Sequence, residues 1–593
     1  MIPPIPTLVR RLRPLTVQIG LCLYLWHRIS NLNGSSILEI LVAVWNDSTS
    51  KIARWILITF SDSDRYFHAL PKIFLFMLEI TSTVLQDAIA VLGLMKLFHI
   101  SSRLYNIPRS EWKNQSINQI VRFILSMPGF DKKIEKTAAK ILKEADSMLG
   151  KNPNRLIRRI LPTKGLPSAV ILEELSSCAR NENKRCETGR VSGTLYAEGE
   201  KHSELMSQVY SLYQWANPLK PGVWPRVNQC EAEIISMTAN FLNAPSPPTG
   251  CVTSGGTESI FTAIRAHLEC YGKQRGIIYP EIICGSTAHC ALHKACEVLN
   301  IRLVSIDCND GQTYELQASQ VRKAITSNTI MIFASAPCWP HGVIDPISRL
   351  SELAIHFDVG LHVDACLGGF ILPFCDNIPQ TFDFRLKGVS SISADTHKYG
   401  YATKGTSVVI FRSLDLQHAA YFSYSRWPGG LYVTPTMAGS RSGALIACAW
   451  AALVSTGRNR YSTRATSIVR TTRRIADAIR SIKGLVVFTP NPTVVVSFGS
   501  DEMDVYKMKD VMSAMGWSLN PLQNPPGLNL VATENLIVEE FLGSLRDAVD
   551  KLRDEKVEEM PKGTTSIYRA VKMLPTCTTE FAMRRFVDAS LSP

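Results

Sequence analysis

Ser391-Ile-Ser-Ala-Asp-Thr-His-Lys-Tyr-Gly-Tyr-Ala-Thr-Lys-Gly405 joins an apolar run to a dense polar cluster. The run from Gly388 to Ala394 predicts a short buried strand, and Asp395, Thr396, His397 and Lys398 follow at its mouth. Gly400 and Gly405 then turn the chain away. A lysine at such a mouth, flanked by His and Tyr, is expected to be partly desolvated, which lowers its pKa and frees the amine as a nucleophile. A Schiff-base lysine needs that. An ordinary loop lysine facing water is the alternative, and only the company Lys398 keeps upstream separates the two.

The chain has 593 residues, room for two or three domains, with 46% hydrophobic and 19% charged residues, a globular balance. Its net charge of +13 suits nucleic acid, an anionic membrane surface or phosphorylated small molecules. No RNP, zinc-finger or helix-turn-helix signature supports nucleic acid. The 15 cysteines form no CxxC pair or metal-ligand spacing and read as reduced cytosolic thiols. Cys284, Cys290 and Cys296 recur every six residues, and core packing is the expected reason.

Residues 1–110 read as an N-terminal membrane-anchor region. Leu15–Trp26, Ile37–Trp45 and Ile52–Phe60 are each too short to span a bilayer. Ile73–Ile100 is long enough but carries Glu79, Asp87 and Lys96, so a signal anchor and a re-entrant or surface helix both stay open. Residues 111–165 form a basic helical connector, with helical spacing over 130–145. Residues 166–245 read as a helical segment, 246–483 as a large cofactor domain and 484–593 as a small α+β domain. Within the large domain, strands are expected at Thr249–Ser254, Pro280–Cys284, Arg302–Ile306, Thr329–Ala334, Leu361–Val363, Gly388–Ser393 and Ser407–Phe411, with helices between most of them. That pattern makes an α/β layer architecture with a mostly parallel sheet.

Stretches at strand ends converge on one chemistry. In Val252-Thr-Ser-Gly-Gly-Thr-Glu-Ser-Ile260 a strand turns through Gly255 and Gly256 into a helix. The backbone N–H groups there, with the Ser254 and Thr257 hydroxyls, make a phosphate seat. In His362-Val-Asp-Ala-Cys-Leu-Gly-Gly369, Asp364 closes a strand where open α/β sheets place ligands, and its carboxylate suits a protonated pyridine nitrogen. His289, in Ser286-Thr-Ala-His289, is placed to stack on a planar ring; packing or capping is its ordinary role. With Lys398 the set specifies pyridoxal 5'-phosphate.

Several longer stretches then resemble the sphingosine-1-phosphate lyases, within the fold-type I pyridoxal-phosphate enzymes. They are Gly193-Thr-Leu-Tyr196, Thr253-Ser-Gly-Gly-Thr-Glu-Ser259, Pro340-His-Gly-Val-Ile-Asp-Pro346, His362 to Phe370, Ser391 to Tyr401 and Ala438-Gly-Ser-Arg-Ser-Gly443. The resemblance covers roughly Leu161 onward. It implies an endoplasmic-reticulum membrane anchor, a cytosolic catalytic part and a homodimer with shared active sites. It also implies cleavage of a phosphorylated long-chain base to a fatty aldehyde and phosphoethanolamine. By position, Lys398 would hold the cofactor, Asp364 its ring nitrogen and His289 its ring face. Gly256, Thr257 and His397 would hold the cofactor phosphate, with Gly439 and Ser440 reaching in from the partner. Tyr196, Asn217, Lys220 and Lys404 would meet the substrate, and Tyr401 would lie near the reacting atoms.

Departures from the family stand on the substrate side. Where the lyases carry histidine and aspartate, this chain has Lys220 and Gly222, within Trp215-Ala-Asn-Pro-Leu-Lys-Pro-Gly-Val-Trp-Pro-Arg226. Cys338-Trp339 replaces a Gln-Phe pair before Pro340. A paralogue performing decarboxylation (a carboxy-lyase) or C–C bond formation is the second reading, and a membrane scaffold without turnover the third. Lys404 near the lysine suits a phosphate rather than a carboxylate, and the intact Lys398, Asp364 and His289 set disfavours the scaffold.

Overall fold

The computed structural model describes residues 158–554, apart from Ala197 and Gly311, and residues 576–592. The anchor region, the Ile73–Ile100 span and the 130–145 helix lie outside the described residues. Among the described residues no helix is long and apolar enough to cross a membrane.

Helices α1 (Ser168–Glu187), α2 (Glu200–Tyr213) and α3 (Pro225–Phe241) precede the sheet. Pro225 at the first helical position has no N–H to leave unpaired, so α3 starts earlier than its apolar pattern at Cys230 predicts. The main sheet comprises β1 (Thr249–Thr253), β2 (Glu281–Gly285), β3 (Arg302–Ile306), β4 (Thr329–Ser335), β5 (Gly360–Asp364), β6 (Ser391–Ala394) and β7 (Ser407–Phe411). Its seven strands lie in the order β1-β7-β6-β5-β4-β2-β3. Only β7 runs against its neighbours, pairing antiparallel with both β1 and β6. The other pairings are parallel, so β1, β2, β5 and β6 all leave the sheet at one end.

Both faces of this sheet are covered, which is why its strands read as near-continuous apolar runs. Leu361, Val363, Ile392 and Val408 are fully buried, each such side chain stabilising by roughly 1.5–3 kcal/mol relative to exposure. Cys284 and Cys296 sit in one apolar cluster with Ile260 and Phe333, as the packing expectation requires, whereas Cys290 is exposed. The cover on one face includes α4 (Gly256–His267), which follows β1 directly, and α5 (Cys290–Val298), which follows β2. α5 starts four residues later than the predicted Ser286–Leu299, because Gly285 to Ala288 form a turn and His289 caps the helix. Likewise β6 begins at Ser391, since Val389 N–H turns back to the Leu386 carbonyl.

After α6 (Ala318–Ala324) and α7 (Ile347–Phe357), the run α8 (Gly443–Arg480) breaks at Gly457, where φ is 65° and ψ 161°. The sequence pattern predicts long helices around Gly443–Ser455 and Tyr461–Ile482; in the structure they are one run with a kink. A second, antiparallel sheet follows: β10 (Val486–Val487), β11 (Val495–Gly499), β12 (Asn520–Gln523) and β13 (Pro526–Val531). The last two of its strands are invisible to period-two reading, because Pro521, Asn524 and Pro525 interrupt them. A short hairpin, β8 (Phe422–Tyr424) with β9 (Tyr432–Thr434), stands apart from both sheets.

Gly342 shows how tightly the β4 exit meets the second sheet. Its φ is +69°, and an added Cβ would lie 2.7 Å from both the Val495 Cβ and the Val495 carbonyl oxygen. Gly342→Ala is expected to cost on the order of 2 kcal/mol from combined strain and overpacking, measured by denaturant unfolding. Wild-type stability in that variant would contradict the close approach.

Candidate active site

Four of the six strands that share a direction deliver the site's side chains to one end of the sheet. β6 ends in Asp395, which is 2% exposed. Its Oδ2 lies 2.9 Å from Lys398 Nζ and 3.6 Å from His397 Nε2. Burial lowers the affinity of Lys398 for its proton, but the Asp395 carboxylate, with Cys366 and Tyr196 nearby, outweighs it and holds the ammonium above the ordinary lysine range. The sequence expectation of a lysine depressed by desolvation is therefore corrected. Burial acts to raise Asp395 in turn, and Lys398 and His397 overcome it, keeping the carboxylate ionised.

β5 ends in Asp364, 7% exposed, whose Oδ1 accepts the Cys366 N–H at 3.0 Å and the Ser393 hydroxyl at 3.3 Å. The buried His362 touches that same Ser393 hydroxyl through Nε2 at 3.2 Å. Cys366 lies between the clusters, its thiol pushed up by burial and by the charges of Asp364 and Asp395.

β1 ends in the turn that starts α4. Ser254 N–H donates to Glu258 Oε2 at 2.7 Å, and Ser254 and Thr257 are exposed. The first N–H groups of α4 have no intrahelical acceptor and face the end of the sheet as a partial positive charge. Glycine is required at 256: an added Cβ would stand 2.8 Å from Cys366 Sγ and 2.9 Å from Asp395 Oδ1. At Gly255 an added Cβ would touch His397 Cε1 at 3.5 Å. His397 Nδ1 accepts the Thr406 N–H at 3.2 Å, so a neutral ring carries its proton on Nε2. Burial, with Lys404 and Lys398, outweighs Asp395 and lowers the His397 pKa, favouring that neutral form.

Lys404 Nζ lies 4.9 Å from the centroid of the Tyr196 ring, and Tyr196 packs edge-on against Tyr399 at 4.9 Å. Burial pushes Tyr196 up to about 12, with Lys398 opposing. Burial also lowers Lys404, helped by repulsion from Lys398. Tyr401 has a left-handed backbone, φ 60°, and a buried hydroxyl without a hydrogen-bond partner. Its ring lies under the Arg464 guanidinium at 4.6 Å, and burial raises its pKa above the ordinary tyrosine value.

The remaining candidates fall in two places. His289, after β2, caps α5 by accepting the Ala291 N–H on Nδ1 at 3.2 Å. Asn217 Nδ2 donates to Ser440 Oγ of the same chain at 3.0 Å, beside Gly439 and the start of α8. In the loop that follows, Lys220 is exposed, whereas Arg226, in the first turn of α3, is taken up by Glu233 at 2.8 Å and by the Trp450 ring at 4.5 Å. Trp339 lines a cavity of about 680 Å³ with Ser286, Asp307, His341, Asn520 and Gln523.

Sequence reading missed the charges that brace this end of the sheet. Arg441 pairs through both terminal nitrogens with Glu231 of α3 at 2.5 and 2.8 Å. Glu231 also accepts the Val252 N–H, and Glu258 joins the Ser254 and Met437 N–H groups. Arg441 stands inside the quoted Ala438–Gly443 stretch, which was the available signal; nothing local marks its partner.

An ionised amine, a carboxylate at the end of a neighbouring strand and an anion seat held open by Gly256 fit pyridoxal phosphate. Fold and site together define a pyridoxal-dependent enzyme of the decarboxylase-like α/β type. Residues 222–499 match the pyridoxal-dependent decarboxylase conserved domain. The chain is 40% identical to the sphingosine-1-phosphate lyase of Dictyostelium discoideum, over 78% of this chain and 88% of that protein. It is 36% identical to that of Saccharomyces cerevisiae, over 76% and 79%. The solved sphingosine-1-phosphate lyase of Burkholderia pseudomallei superposes with a TM-score of 0.65 and 39% identity, covering 68% of this chain and 94% of that one. The chain belongs to the sphingosine-1-phosphate lyase family.

Asp395→Asn removes the charge that keeps Lys398 protonated, leaving burial to lower it. Labelling of Lys398 by trinitrobenzenesulfonate at neutral pH, read by peptide mass, is expected to accelerate, about tenfold for each unit of pKa lost. An unchanged rate would contradict the ion pair's control of the amine.

Proposed function

We propose that this chain is a pyridoxal-phosphate-dependent lyase that cleaves the C2–C3 bond of phosphorylated sphingoid bases, releasing a fatty aldehyde and phosphoethanolamine. The observation that carries the reading is the meeting of Lys398, Asp364 and the Gly256 helix start at one sheet end, in a chain of this family. Pyridoxal phosphate, when bound, supplies an aldehyde for the substrate amine and an electron sink for the breaking bond.

In this reading Lys398 Nζ would hold the cofactor, its proton passing to solvent first because Asp395 stays ionised beside it. Asp364 would pair with the cofactor's ring nitrogen and favour its protonated form. The N–H groups of Gly256 and Thr257 and the Nε2–H of His397 hold its phosphate, with Ser254 and Gly255 forming the turn. His289 supports the ring face through its capped, fixed imidazole. Lys404, steadied on Tyr196, and Lys220, near Asn217, offer charge to the substrate phosphate. Tyr401 keeps its hydroxyl proton at neutral pH, which suits a hydrogen-bond donor beside the reacting atoms better than the base that takes the C3 hydroxyl proton.

The finer parts of the proposal concern assembly and place. Residues 1–110 would anchor the chain to the endoplasmic-reticulum membrane, 111–165 connect it, and 166–245, 246–483 and 484–593 form the helical segment, cofactor domain and small domain in the cytosol. A homodimer with shared sites is supported by exposed apolar side chains on two elements. On the β8–β9 hairpin Trp427 is 51% and Leu431 87% exposed, and on α1 Leu172 is 63% exposed. Gly439 and Ser440, next to that hairpin, would then also face the partner's site.

The direct test is the full chain with pyridoxal phosphate and sphinganine 1-phosphate, products read by mass. Equal amounts of aldehyde and phosphoethanolamine are expected; cofactor loading without either product would favour the decarboxylating or C–C-forming alternative. Lys398→Ala is expected to lose both turnover and the visible absorbance of the attached cofactor, and a yellow, active variant would remove Lys398 from its role. Lys220→His is expected to change KM for the phosphorylated base more than cofactor affinity. The opposite pattern would place Lys220 away from the substrate.

A further inference from the structure

The turn that carries Lys398 is fastened by hydrogen bonds to three other parts of the chain. Tyr399 Oη donates to the Ala532 carbonyl at 2.6 Å, and Tyr461 Oη to the Gly400 carbonyl at 2.9 Å. His202 of α2 meets the Tyr401 carbonyl through Nε2 at 2.8 Å. That carbonyl belongs to the left-handed residue of the turn, where a non-glycine backbone is held against its preference.

The other nitrogen of His202, Nδ1, lies 2.5 Å from Glu198 Oε2. Glu198 is 1% exposed in its side chain and also receives Arg464 at 2.6 Å and Arg460 at 3.2 Å. Two arginines keep that carboxylate ionised, so it accepts, and a carbonyl oxygen can only accept. Both ring nitrogens must therefore donate, and the ring is an imidazolium. Other charges and titratable groups around it are few: Glu534 reaches Arg464 at 3.2 Å from beyond β13, Thr456 approaches Glu198, and Tyr401 and Tyr461 stack at 6.2 Å.

We infer that His202, donating at once to Glu198 and to the Tyr401 carbonyl, is a positioning residue that fixes the Lys398–Tyr401 turn only while it is protonated. The hydrogen bond to Glu198 raises its pKa against the opposing burial. A raised pKa keeps the proton past the ordinary histidine range, and the clamp is lost as pH rises through the raised value. Turnover then falls on the alkaline side.

The lyase reading supplies only the reaction used as readout. The full chain loaded with pyridoxal phosphate would be assayed on sphinganine 1-phosphate across pH about 6 to about 10. Hydrogen exchange of the 398–406 amides would be compared between variants at matched pH. His202→Gln has a single amide nitrogen, so if it donates to the Tyr401 carbonyl it turns its amide oxygen toward Glu198, and it cannot donate in both directions as the imidazolium does. It is expected to lower kcat about tenfold with KM nearly unchanged, to lose the histidine limb and to speed exchange in 398–406. Glu198→Gln keeps an acceptor but removes the charge, so acid-side kcat should survive while the limb moves to lower pH. Wild-type kcat and limb in His202→Gln, or an unmoved limb in Glu198→Gln, would overturn the inference. Should His202→Gln fail to fold, the limb of Glu198→Gln decides. Should the wild type form no products, the lyase reading fails, while faster exchange in His202→Gln, or its absence, still decides the clamp.

Discussion

The ion pair between Asp395 and Lys398 is the constraint on which the site's geometry turns. A carboxylate 2% exposed at the end of a strand carries a large desolvation cost, and a half-buried ammonium three residues later carries another. Neither is tolerable alone; at 2.9 Å each offsets the other, and His397 adds a further polar neighbour. The pair also fixes where Lys398 can reach, because its stem must fold back toward the strand it has just left. The close glycine of α4 follows from the same packing, since any side chain at 256 would enter the space that Asp395 and Cys366 occupy.

Strand direction does the rest. Because β1, β2, β5 and β6 share one sense, turns separated by more than a hundred residues open on one side of the sheet. The antiparallel β7 does not disturb this, for it returns the chain from the lysine loop and seats between β1 and β6. The groups read as cofactor-facing thus stand at strand ends. The groups read as substrate-facing, Lys220, Lys404 and Tyr196, lie on loops, where specificity can change without moving the chemistry.

Much of this was legible in the sequence because it is local. The apolar runs, the glycine pair after β1, Asp364 before its glycines and Lys398 after β6 are each written within a few residues. What escaped is long-range or a balance of opposing terms. Arg441 finds Glu231 from 210 positions away, and His202 finds the Tyr401 carbonyl across 199. No periodicity encodes such pairs. The sign of the Lys398 shift was misjudged because the apolar run announces desolvation, whereas the dominance of Asp395 depends on a turn that brings the two side chains face to face. β6 starts late for a similar reason: residues 388–390 are apolar enough for a strand, but Val389 and Ser390 are drawn into a turn and a contact with Leu361. Trp339 lines a cavity together with Asn520 and Gln523 of the second sheet, a neighbourhood its own stretch does not announce.

The central claim is that Lys398, and no other lysine in the loop, attaches the cofactor. The most direct measurement is borohydride reduction of the cofactor-loaded full chain, followed by peptide mass mapping. The account expects the phosphopyridoxyl mass on the peptide bearing Lys398, fixed to that residue by fragmentation. The same mass on Lys404, or no stable adduct in a protein that binds the cofactor, would contradict it.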